Sequence, residues 1–91
     1  MESQIIRRQL IRAASSVGAN YRAACRSRSK RDFISKIGVV VEEADEVGYW
    51  LELFEDLRGS QHPKLAELMK EAGEIAAIMV ASINTARSSQ D

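Results

Sequence analysis

Apolar positions recur along this chain at helical spacing in three long blocks. In the first, Ile6, Leu10, Ala13, Val17, Tyr21 and Ala24 follow one another at intervals of 4, 3, 4, 4 and 3 residues. That spacing keeps them on one face of a helix and predicts a helix over about residues 4–26. Ala14 and Cys25 widen the stripe, and Ile5 borders it. The stretch Ser15-Ser-Val-Gly-Ala-Asn20 contains residues that disfavour a helix interior. The stripe nevertheless passes through it in phase, so the helix is expected to continue. Gly18, Ala14 and Ala19 would there leave room for a neighbouring backbone.

Ser27-Arg28-Ser29 interrupts the pattern, and Ser29 with Asp32 three residues on resembles a capping pair. A second helix is predicted over residues 30–58. Its stripe of Phe33, Ile37, Val40, Ala44, Val47, Leu51 and Phe54 alternates intervals of 4 and 3, a heptad seam. The β-branched run from Ile37 to Val41 suggests a strand, but Gly38 interrupts it and the seven-residue period continues. Ile34, Val41 and Gly48 form a second line seven apart, and Trp50, Leu53 and Leu57 broaden the face. So much apolar perimeter needs more than one neighbouring helix. Ile34, Val41, Gly48, Trp50 and Leu53 are therefore candidates for an interface between subunits.

Gly59 reads as the residue just past the second helix, with Ser60-Gln61-His62 as the turn. Pro63 suits the first position of a third helix, where a missing N–H costs nothing. This helix is predicted over residues 63–86, with a stripe of Leu65, Leu68, Ala72, Ile75, Met79, Ser82 and Ala86. Met69, Ala76 and Ile83 lie beside that stripe. The expected fold is all-α, an antiparallel helical bundle of three helices in one domain spanning residues 1–91.

Composition agrees with a folded domain. The 91 residues are 45% hydrophobic and 29% charged, with one proline, which is an ordinary globular balance and excludes a disordered chain. No apolar run reaches 18 residues, so no membrane partner is expected and the default location is cytoplasmic. Cys25, the single cysteine, has no internal disulfide partner and reads as a small buried apolar residue. Were it exposed, Arg22, Arg26 and Arg28 would favour its thiolate.

Charge changes the picture more. The formal net charge is zero, yet residues 1–36 carry nine Arg/Lys against two Asp/Glu, and residues 37–91 carry four against eleven. One reading is a basic surface for nucleic acid or an acidic partner. The other is a basic helix lying against acidic ones, in its own subunit or a neighbour. Arg22, Arg26, Arg28, Lys30 and Arg31 cluster around the first turn, and repeated in an oligomer they would form a basic rim able to hold phosphates. Tyr21 alone lies near as a stacking group, which argues against a base-stacking platform.

Catalytic chemistry finds little support. His62 is the single histidine, and one His with one Cys falls short of a zinc site. The isolated glycines form no phosphate loop. Glu42, Glu43, Asp45 and Glu46 form an acidic run without the Glu-x-x-His motifs of di-iron bundles. It reads either as a solvated face or as ion-pair partners for the basic first helix. No catalytic residue, metal or cofactor is expected, and the chain reads as a non-enzyme.

Three segments carry a resemblance: Leu10-Ile-Arg-Ala-Ala-Ser-Ser-Val-Gly-Ala-Asn-Tyr-Arg-Ala-Ala-Cys25, Ser29-Lys-Arg-Asp-Phe-Ile34 and Glu43-Ala-Asp-Glu-Val-Gly-Tyr-Trp-Leu-Glu-Leu53. Together they resemble the small bacterial four-helix bundle proteins also called 23S ribosomal RNA intervening-sequence or S23 proteins, over about residues 4–86. The resemblance implies a ring-like homopentamer of unassigned role, with RNA or an RNA-associated protein as the leading partner. Accessory proteins of diversity-generating retroelements share the architecture, but they are basic, and the neutral charge here departs from them. The resemblance also implies a further helix at the front, so this sequence is expected to lack the family's first helix. The apolar surface so left would be covered by a neighbouring subunit.

Overall fold

A computed structural model of the chain describes residues 2–58 and 63–89. Three α-helices hold nearly all of these residues: α1 (Glu2–Cys25), α2 (Lys30–Arg58) and α3 (Pro63–Ser88). α1 runs through Ser15–Asn20 without a break. Asn20 donates its side-chain amide to the Ser16 carbonyl and to Ser16 Oγ, both at 2.9 Å, so its polar group is satisfied within the helix.

The end of α1 is tightened by the Arg26 and Ser27 amides, which donate to the carbonyls of Ala23 and Ala24. α2 then opens on Ser29, whose Oγ accepts from the Asp32 amide at 3.0 Å. The reciprocal half of a capping box is not made. Asp32 instead accepts from Lys36 one turn on, at 2.9 Å, because its short side chain cannot reach back as Glu or Gln does. Pro63 begins α3 as expected. The readings placed on Gly59, Ser60, Gln61 and His62 lie outside the described residues.

The core follows the seam of α2. Ile37 and Val40 are fully enclosed, and Ala44 and Leu51 are buried with them. Ile6, Ala13 and Ala24 from α1 and Leu65 and Ala72 from α3 complete it. Both outer helices run antiparallel to α2. Arg12 of α1 reaches Glu46 of α2, and Lys30 at the start of α2 donates to the Ser89 carbonyl just beyond α3, at 2.8 Å.

The three helices do not close on themselves. Among the described residues, no Cα of α1 lies within 8 Å of one in α3. The molecule measures 51 × 20 × 13 Å. A depth of 13 Å exceeds one helix's Cα cylinder, about 4.6 Å across. The helices are therefore not coplanar, and α2 sits at the vertex of a V.

This openness corrects three expectations. Tyr21 is 47% exposed, although it continues the α1 stripe. Cys25 is exposed rather than buried, and it lies one turn from Tyr21, whose phenol pKa it raises by hydrogen bonding. No neighbouring backbone approaches Gly18, where an added Cβ would meet open space. Gly18, Tyr21 and Cys25 share a flank of α1, beside the buried line of Ile6, Ala13 and Ala24, that α2 does not cover.

Candidate functional site

Among the arginines of α1 and the turn after it, Arg12 is consumed inside the molecule and a cluster is left exposed at the α1–α2 turn. The Arg12 guanidinium bonds Glu46 Oε1 and lies 3.3 Å from Glu43 Oε2. Trp50 donates its indole N–H to the same Glu46 oxygen at 3.1 Å. Tyr49 meets the Trp50 ring edge-on, with centroids 5.0 Å apart. The Trp50 hydrogen bond first, and Arg12 second, hold the Glu46 carboxyl below its ordinary value, and Glu46 in turn raises Arg12. Of the two readings of the acidic run, ion pairing with the basic first helix is realised for Glu43 and Glu46. Glu42 and Asp45 are exposed.

This network has a pH signature. A carboxyl whose folded pKa is depressed contributes stability above its unfolded value, here 4.5, and loses it as pH falls through the folded value. Wild-type melting temperature should therefore drop on acidification below pH 4.5. Glu46→Gln should melt lower at neutral pH and show a shallower acid limb. Parallel acid limbs in a thermal melt series for the two proteins would sink this assignment.

The exposed cluster is the predicted basic one, and the α1–α2 hairpin brings it together. Arg22, Arg26, Arg28 and Arg31 are all exposed. Among the described residues they make no ion pair. Lys30 is half-buried and turned toward Ser89. Because α2 is antiparallel to α1 and α3, Lys36 and Arg87 fall at this same end. The acidic half of α2, from Glu42 to Asp56, lies at the other. The folded chain is thus a rod with a basic end and an acidic flank.

The candidate interface residues Ile34, Val41, Gly48, Trp50 and Leu53 are half-buried, neither enclosed nor free. Gly48 and exposed Tyr49 border a shallow depression of about 380 Å³ with Met69 and Gly73 of α3. Trp50, read from sequence as widening the apolar face, is held by Glu46. The signal for that pair was present in the i,i+4 spacing of the two residues.

Sequence periodicity did not disclose the most apolar concavity, a groove of about 330 Å³ inside the V. Ala44, Val47 and Leu51 of α2 form its floor, and Leu10, Ala14 and Val17 of α1 one wall. Leu68, Ala72 and Ile75 of α3 form the other, with Glu71 as its single charged residue. Among the described residues, no three His, Cys, Asp or Glu side chains stand together as a metal site. No described helix is long and apolar enough to cross a membrane.

An all-α chain with this hairpin and this open V belongs to the class of small helical bundle proteins. Residues 1–81 match the 23S rRNA-intervening sequence protein family, and the chain belongs to that family. It is similar to a solved protein of unknown function from the S23 ribosomal protein family of Bacteroides thetaiotaomicron. The two are 30% identical with a TM-score of 0.82, over 87% of this chain and 73% of that one. No curated protein matches the chain.

Proposed function

We propose that the chain is a non-catalytic, cytoplasmic helical scaffold that assembles with copies of itself and holds RNA at its basic end. The observation carrying this reading is the state of the arginines. Arg12 is neutralised by Glu43 and Glu46, whereas Arg22, Arg26, Arg28 and Arg31 are exposed and unspent among the described residues. Four guanidiniums on one hairpin suit a phosphate backbone, and they carry little sequence information. Membership of a family named for an insertion in ribosomal RNA supports RNA as the polyanion.

Self-assembly is supported by the half-buried line Ile34, Val41, Gly48 and by exposed Tyr49 beside it. The open depression at Gly48 and Gly73 leaves room for a neighbour's side chains. The homopentamer of the resemblance is one stoichiometry consistent with such a face.

Native mass spectrometry of the untagged chain, purified gently from its host, tests both halves. The expected species is a homo-oligomer carrying RNA. A homo-oligomer without nucleic acid leaves a pure self-assembly module, and a monomer overturns the scaffold reading.

A further inference from the structure

We propose that the exposed face of α1 around Arg8 and Ile11 is the counterpart of the Gly48–Gly73 depression, so that α1 of one copy docks between α2 and α3 of the next. The inference rests on the self-assembly proposed above and names the two surfaces that meet.

Each surface calls for what the other carries. Buried Ala44 and Ala72 form the floor of the depression, and Asp45 and Glu52 are the charged residues on its lining. A Cβ added at Gly48 or Gly73 would meet open space, so the hollow has room for a side chain from outside. Asp45 and Glu52 are exposed and make no ion pair among the described residues. They favour a cation beside whatever fills the hollow. α1 presents that combination. Gln4, Arg7, Arg8 and Ile11 share one stretch of its surface. Ile11 is 60% exposed, and neither arginine makes an ion pair among the described residues. Within one chain the two surfaces do not meet, because α1 and α3 do not approach each other.

The heights match as well. Arg12 of α1 bonds Glu46 of antiparallel α2, so Arg8 and Ile11 stand level with the turn of α2 that follows Asp45. Asp45, Gly48 and Glu52 line the depression at that level. The next copy is therefore placed by a rotation about an axis parallel to the rods, with little shift along them. A heterologous contact of this kind closes into a ring, whereas a large shift would give a filament. Every α1–α2 turn then lies on one rim, and Arg22, Arg26, Arg28 and Arg31 stay outside the contact. A two-fold contact fits less well. It would set two acidic depressions, or two basic α1 faces, against each other.

The test is complementation between two single variants, read by native mass spectrometry and sedimentation velocity. Ile11→Asp spoils the α1 face, and Gly73→Phe fills the depression. Both positions are exposed, and Phe replaces a poor helix former, so both variants should keep the helical spectrum. Each alone is expected to assemble at least ~30-fold more weakly than wild type. Mixed in equal amounts, they are expected to form a one-to-one dimer that grows no further. The intact α1 face of the Gly73→Phe chain enters the intact depression of the Ile11→Asp chain, and the two surfaces left over are both spoiled. Single variants that assemble as wild type overturn the pairing of surfaces and leave self-assembly to another face. So does a mixture that stays monomeric or grows past the dimer. A wild-type chain that is itself monomeric overturns both this inference and the assembly on which it rests.

Discussion

Ile37→Asp is expected to leave the chain unfolded at room temperature. Ile37 is 0% exposed and sits where α1 and α3 flank the seam of α2. Arg12 of α1 is committed to Glu43 and Glu46, and Lys36, the neighbour of Ile37 on α2, is turned to Asp32. An Asp there must be buried unpaired or protonated, which costs more than about 4 kcal/mol. A single domain of 91 residues has a total stability of about 5–10 kcal/mol, and an open V stands at the lower end. Ile37→Val should cost only about 0.5–1.5 kcal/mol. Glu42→Ala, on the exposed side of the same helix, should change stability by less than about 0.5 kcal/mol. Far-UV circular dichroism with urea titration checks all three. A helical Ile37→Asp protein with a wild-type midpoint would falsify the register of α2.

That register was readable because a heptad seam leaves little choice. Ile37, Val40, Ala44 and Leu51 fell on one line in the sequence and are buried in the fold. The same method placed Ile6, Ala13 and Ala24 correctly and failed at Tyr21 and Cys25, one turn apart on the same helix. Periodicity reports which way a side chain points along its own helix. It does not report whether another helix stands opposite, and inside the V none of the described residues does. The groove was illegible for that reason, since Leu68 and Ile75 look like core in sequence and are wall in space.

The basic end was legible for the opposite reason. Arg22 to Arg31 are near one another in sequence, and one tight turn keeps them near in space. The Arg12–Glu46–Trp50 network joins residues 34 apart across two helices. Only its local half, Glu46 with Trp50, left a spacing to find. Charge segregation along the chain allowed basic and acidic segments to meet, and the hairpin decides which do. It commits Arg12 and leaves the arginines beyond it at the turn.

The reversal Arg26→Glu with Arg28→Glu separates the RNA reading from pure self-assembly. Both residues lie in or beside the α1–α2 turn, are exposed, and make no ion pair among the described residues. Capping of α2 rests on Ser29, and Arg26 contributes only its backbone amide to the end of α1. The double variant should therefore keep the helical spectrum and melting of the wild type. If four arginines each neutralise a phosphate on single-stranded RNA, the logarithm of affinity falls against the logarithm of salt with a slope of about −2.8. Losing two of those contacts reduces the slope to about −1.4, and the introduced repulsion lowers affinity further, by roughly 100-fold near physiological salt. Filter binding to a mixed-sequence RNA at three salt concentrations measures both quantities. Undiminished affinity and an unchanged slope would place any RNA contact elsewhere on the molecule. The exposed arginines of the turn would then be a solvated end, and self-assembly would stand as the use of the fold.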